Sequence, residues 1–93
     1  MEDRKIVRKH MKISGSVQGV GFRFRASHVA RGLGITGWVR NEWDGTVELE
    51  AQGTQEQIYR LLKMINQGSY IRIERIDTTE IPLEQKEYGF HIM

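Results

Sequence analysis

Apolar and polar positions alternate from Val7 to Ser14. Val7, Met11 and Ile13 take one side and Arg8, His10, Lys12 and Ser14 the other, with Lys9 an exception near the edge. A period of two marks a strand with one buried face, so a first strand is expected here, behind a frayed lead-in over residues 1–6. The period then changes. Phe22, Ala26, Val29, Ala30 and Leu33 fall on one face of a helix, which is expected over Phe22 to Arg31 with Gly32 and Gly34 ending it. Ile35 to Asn41 is rich in β-formers and predicts a second strand; Asp44-Gly45 predicts a hairpin turn. Val47, Leu49 and Ala51 alternate with Thr46, Glu48, Glu50 and Gln52 in a third strand that Gly53 is expected to break.

Thr54 with Gln57 three residues on is a capping-box signature, and Ile58, Leu61, Leu62 and Ile65 form the single apolar stripe of the helix behind it, with Gly68 expected to close it. Tyr70 to Ile76 reads as a fourth strand, in which the step from Ile73 to Ile76 breaks alternation and predicts a bulge. Thr78 to Glu87 is polar, contains Pro82 and is expected to be a loop, and Tyr88, Phe90 and Ile92 predict a short C-terminal strand. The order βαββαβ predicts a ferredoxin-like α+β sandwich: an antiparallel sheet with two helices on one face and a short extra strand. Right-handed crossovers make the first and second strands parallel with the third between them, so Asn41 is brought to the end of the sheet where the first strand ends. Across the first and third strands, Arg8, His10 and Lys12 are expected to face Glu48 and Glu50 on an uncovered side of the sheet.

At 93 residues the chain is expected to form one domain over 1–93, burying about 60–65% of its unfolded surface. It has no cysteine, so disulfides and thiolate metal sites are excluded. The charged start, Met1-Glu2-Asp3-Arg4-Lys5, and the lack of a long apolar run predict neither signal peptide nor membrane span, and a cytoplasmic location. A formal charge of +2 and a pI near 9.2 come from mixed rather than clustered charges, which describes a solvated surface better than a nucleic-acid footprint. An RNA-binding sheet would put aromatic rings at the Arg8, His10 and Lys12 positions, and none stands there.

Candidate chemistry gathers between the first strand and the first helix, in Gly15-Ser16-Val17-Gln18-Gly19-Val20-Gly21-Phe22-Arg23. Three glycines let the backbone turn through positive φ and approach a ligand closely. The helix start adds unpaired N–H groups and the positive end of a dipole. This combination suits an oxyanion, above all phosphate, held by amides between Ser16 and Phe22 (Ser16, Val17, Gln18, Gly19, Val20, Gly21, Phe22). Arg23 adds a fixed charge and a planar fork of donors.

The run V-Q-G-V-G-F-R, followed by Gly37-Trp38-Val39-Arg40-Asn41 and Asp44-Gly45-Thr46-Val47-Glu48, resembles the acylphosphatases from about Met11 to Gly68. The resemblance implies the same sandwich, a small-molecule acyl phosphate as substrate and, on the matching residue Asn41, the orientation of the attacking water. A carboxamide can donate to and accept from one water molecule, although Asn is also a common residue at a hairpin start. Asn cannot act as a base, so the proton is expected to pass to the substrate's own phosphate or to solvent. His10, His28 and His91 fall outside both motifs, and a covalent phosphoenzyme is not expected. No acid is evident either, which favours a carboxylate leaving group of low basicity over an alkoxide.

No carboxylate cluster predicts a metal site, and the expectation is a monomeric, metal-independent enzyme without cofactor or nucleic-acid partner. The alternative is a non-catalytic module of the same fold that binds phosphate or carbamoyl phosphate. Trp38, Phe22 and Phe24 are expected to pack around the loop and Thr46 to support the Asn41 region; Arg25 and Arg40 could add to the field around an anion, but are expected to be ordinary surface arginines. Ala26 departs from the family's common hydroxyl residue three positions after the motif Arg, which leaves the effect of that one hydrogen bond open.

Overall fold

The computed structural model describes residues 5–93. The elements are β1 (Ile6–Ser16), α1 (Phe22–Leu33), β2 (Thr36–Asn41), β3 (Val47–Thr54), α2 (Gln55–Ile65), β4 (Arg72–Ile81) and β5 (Phe90–Ile92). They form one five-stranded sheet in the order β4-β1-β3-β2-β5. β3 runs antiparallel to both β1 and β2, so those two are parallel as the crossover argument requires. β5 lies parallel to β2 and makes the sheet mixed rather than wholly antiparallel. Residues 1–4 of the lead-in expected over 1–6 lie outside the described residues, and Ile6 already belongs to β1.

The apolar stripes of both helices meet the apolar face of the sheet. Met11, Ile13, Val39, Val47, Leu49 and Ala51 from the strands are buried against Phe22, Ala26, Val29, Ala30, Ile58, Leu61 and Ile65 from the helices. Thr54 caps α2 as the sequence predicts: its hydroxyl accepts from the Gln57 N–H at 3.1 Å, and the Gln57 side chain accepts from the Thr54 N–H at 2.8 Å.

Several expected boundaries move. α1 runs through Gly32 to Leu33, and Gly34 alone ends it, in the left-handed conformation (φ 75°). Gly53 does not break β3, because the burial alternation continues through it to Thr54 and it pairs with Val7. α2 ends at Ile65 with Asn66 as its cap, while Gly68 lies in the following turn, against Arg25 and Ile71. The polar stretch after Asp77 is strand rather than loop as far as Ile81, since Thr78 to Ile81 pair with Arg8 to Met11 along the outer side of β1. One-sided alternation is lost there because both faces of this edge segment are largely exposed. The bulge falls within the expected segment: Ser14 pairs with Arg75 and Gly15 with Ile73, leaving Glu74 as the extra residue.

The face away from the helices is not uniformly open. Arg8 is 1% exposed, covered by the segment that returns from β4 to β5. It donates to Glu87 at 2.7 Å and Glu50 at 3.0 Å, and Glu84 N–H binds Gln52 nearby. Burial alone would lower its pKa, but the bonds to Glu87 and Glu50 outweigh that and raise it. His10 meets Glu48 at 2.7 Å as the cross-strand expectation has it, whereas Lys12 turns to Asp44 at 3.1 Å, not to either glutamate.

Candidate active site

β1 ends where the glycine loop begins, and the glycines divide into two kinds. At Gly15 (φ 131°) a Cβ would overlap the Arg72 carbonyl across the bulge, so this glycine permits close approach of two strands. At Gly19 (φ 72°) and Gly21 (φ 81°) a Cβ would meet nothing, so there glycine supplies the left-handed turn. Between them Val17 is buried and Val20 packs half-buried against the core, so two apolar side chains hold the loop down.

Gly21 is the N-cap of α1 and offers no side-chain oxygen, and the first turn carries no acidic residue. The first intrahelical bond runs from Arg25 N–H to the Gly21 carbonyl at 3.0 Å, so the amides of Phe22, Arg23 and Phe24 have no acceptor within the helix. They open on a cleft of about 150 Å³ lined by Val17, Gly19, Gly21, Phe22, Arg23, Phe24 and Asn41. Arg23 is the one ionisable residue of that lining. Its guanidinium has no hydrogen bond or ion pair among the described residues, whereas Arg8, Arg25, Arg31, Arg40, Arg60 and Arg75 are each engaged.

Asn41, the last residue of β2, reaches the cleft because it shares the core-facing phase of Gly37 and Val39 at the strand's end. Its Oδ1 is buried and has no hydrogen-bond partner among the described residues. A buried carboxamide oxygen without a partner is costly, by about 1–3 kcal/mol, and persists where a ligand or water is to occupy it.

Six of the nine residues expected from the sequence therefore share one cleft: Val17, Gly19, Gly21, Phe22, Arg23 and Asn41. Ser16 lines a separate hollow with Ser69, Tyr70 and Arg72. The side chain of Val20 packs against the core. That of Gln18 crosses to the β2–β3 turn, where its Nε2 donates to the Glu42 carbonyl at 2.7 Å and the Thr46 carbonyl at 2.8 Å.

Two expectations about packing are corrected. Phe24 does not pack around the loop; it is 77% exposed at the rim of the cleft. An aromatic on the polar side of the first helical turn was the available signal. Trp38 lies on the opposite sheet face, edge-on to His10 and 5.0 Å beneath the Arg40 guanidinium, so that face does carry one ring. Arg40 keeps the surface role expected of it and adds little free field to the cleft, being bound to Glu42 at 2.8 Å and Glu48 at 2.9 Å. These bonds, the Arg40 one foremost and then that from His10, hold the Glu48 carboxyl at about 2, well below its ordinary range. Arg25 donates to the Met64 and Ile65 carbonyls at the end of α2. Thr46 supports the Asn41 hairpin through its carbonyl, while its hydroxyl donates to Asp44.

His28 is exposed, and His10 and His91 are bound to Glu48 and the Tyr88 carbonyl, away from the cleft. Among the described residues no group of three or more His, Cys, Asp or Glu could hold a metal, and no helix is long and apolar enough to cross a membrane.

Residues 9–92 match the family model described as Acylphosphatase. An acylphosphatase of Thermococcus kodakarensis is 45% identical over 96% of this chain and 98% of its own. Among solved structures, an acylphosphatase from Coxiella burnetii superposes with a TM-score of 0.85 at 31% identity over the whole of both chains. One from Bacillus subtilis gives 0.84 at 28% identity, over 94% of this chain and 98% of that one.

Proposed function

The chain belongs to the acylphosphatase family and is an acylphosphatase enzyme, and from that premise we propose how its cleft hydrolyses an acyl phosphate. The phosphate enters the turn of residues 17–21 and accepts from its amides and from those at the start of α1. Arg23 binds two equatorial oxygens with its fork of N–H groups. These donors face the charge that spreads over the phosphoryl oxygens in the transition state, which is the main requirement of phosphoryl transfer.

Water held by the Asn41 carboxamide attacks phosphorus in line with the departing carboxylate. The P–O bond to the acyl group breaks as the new one forms, and the products are a carboxylate and inorganic phosphate. The unpartnered Asn41 Oδ1 in the same cleft as Arg23 and the helix start carries this reading. It gives the water an acceptor that no group of the described residues occupies. Since Arg23 is the sole ionisable residue among the described residues that line the cleft, the proton released by the water goes to a phosphate oxygen or to solvent. A leaving carboxylate, whose conjugate acid has a pKa of about 4, needs no proton donor. We take residues 1–93 as one such domain, acting as a cytoplasmic monomer without metal or cofactor.

Benzoyl phosphate hydrolysis in chelator, compared for the parent, Arg23→Ala and Asn41→Ala, tests the assignment. Arg23→Ala is expected to weaken phosphate inhibition, and Asn41→Ala to lower kcat with phosphate inhibition unchanged. A parent that binds phosphate through the loop but does not turn over would instead make the domain a binding module.

A further inference from the structure

Gln18 lies in the middle of the cradle, yet its side chain turns away from the cleft and toward the other wall of the site. The carboxamide Nε2 carries two N–H groups, and both are used: one on the Glu42 carbonyl at 2.7 Å, the other on the Thr46 carbonyl at 2.8 Å. Those two residues close the β2–β3 turn. Glu42 N–H donates to the Thr46 carbonyl at 2.8 Å, and Gly45 N–H donates to the Glu42 carbonyl at 3.2 Å. Each carbonyl thus accepts once from its own turn and once from Gln18, which fills both lone pairs. Glu42 is joined by its peptide bond to Asn41. Among the described residues this is the only side-chain hydrogen-bond link between residues 17–21 and the hairpin 41–47.

We propose that Gln18 is a positioning residue that acts through Asn41: it clamps the hairpin carrying the water-holder to the loop carrying the anion. The inference rests on the reading of Asn41 given above. Asn41 Oδ1 has no partner of its own, so the placement of its carboxamide depends on the backbone on either side. On the β2 side that backbone is held in the sheet by pairing with Val47. On the turn side it is held by the hairpin's own bonds, Glu42 N–H to the Thr46 carbonyl among them, and is tied to the loop through Gln18. The attacking water and the phosphorus belong to different walls, and an error of about 1 Å between them costs about a hundredfold in rate. The phosphate itself is bound by one wall only, through the loop amides and Arg23, and does not sense the clamp.

The test is a cycle of Gln18→Met, which keeps the length of the side chain and removes both donors, with Asn41→Ala, read by benzoyl phosphate kinetics and by inhibition with inorganic phosphate. Gln18→Met is expected to lower kcat tenfold or more while the phosphate inhibition constant changes less than twofold. In the Asn41→Ala background it is expected to have no further effect. An equal loss of kcat in both backgrounds would overturn the proposal, as would unchanged kcat or a weakened phosphate affinity, which would make the Gln18 side chain, and not its amide alone, part of the anion site. If Asn41→Ala keeps its kcat, the reading of the water-holder fails instead; if it loses kcat and Gln18→Met does not, only the clamp fails. Should Gln18→Met not fold, Gln18→Asn, with both donors one methylene short of their acceptors, carries the same expectations.

Discussion

Replacing Asn41 by alanine separates a catalytic from a scaffolding role, because the two act in opposite directions on stability. The Asn41 Oδ1 is buried and accepts no hydrogen bond from the described residues, so truncation forfeits no such bond at that atom. It removes instead an acceptor whose burial opposes folding by about 1–3 kcal/mol, less whatever a water bound there returns. The half-buried stem contributes little apolar area, and alanine keeps the β2 backbone and its pairing with Val47. The expected change in unfolding free energy therefore lies between zero and about 1 kcal/mol of stabilisation.

The rate should move far more. Loss of one preorganised transition-state contact typically lowers kcat by about 10²–10³, equivalent to about 2.7–4 kcal/mol. The measurements are initial rates on benzoyl phosphate and a urea midpoint, with inorganic phosphate as competitive inhibitor to confirm an intact cradle. An Asn41→Ala protein that loses stability by more than about 1 kcal/mol while retaining kcat within threefold would refute the argument. It would return Asn41 to the role of a hairpin residue.

Arg23→Lys retains the charge but not the two-pronged donor, and is expected to raise the phosphate inhibition constant by about tenfold, read in the same inhibition assay. Gly37→Ala would set a Cβ against the Glu50 carbonyl at φ 148°, and should lower stability by about 2–3 kcal/mol in urea unfolding, with substrate affinity unchanged in the molecules that remain folded. Glu48, with an ordinary carboxyl pKa of 4.5 and a folded value of about 2, gives stability that is fully present above pH 4.5 and is lost as pH falls toward 2. For a pair near the surface this is about 1–2 kcal/mol after solvent screening. Urea midpoints at pH 5 and 2.5 should fall less in Glu48→Gln than in the parent. A millimolar chelator is expected to leave benzoyl phosphate hydrolysis unaffected, and its inhibition would call for a metal.

What could be read without coordinates was local in origin. The alternation in β1 and β3, the stripes of both helices and the Thr54–Gln57 box each depend on residues a few positions apart. So does the left-handed turn at Gly19 and Gly21. The βαββαβ order then limits the topology, because crossover handedness leaves one arrangement in which the ends of β1 and β2 coincide. That alone predicts that Asn41 approaches Arg23.

The remainder waited on where distant segments arrive. Thr78 to Ile81 became strand because β1 offers them a free edge, a fact that their own alternation does not record. Arg8 is buried because the segment before β5 returns across it with Glu87. Arg25 and Arg40 were withdrawn from the field around the cleft by the α2 carbonyls and by Glu42 and Glu48, while Arg23 kept its charge free. Gln18 looked like one more amide of the cradle until the hairpin placed two carbonyls within reach of its side chain. The sequence thus determined the elements, their order and the composition of the phosphate loop, since backbone preference and periodicity are properties of neighbours. Which polar groups are left to meet the substrate followed from the packing of distant segments, because a side chain's partner is whichever group the fold brings within about 3 Å of it.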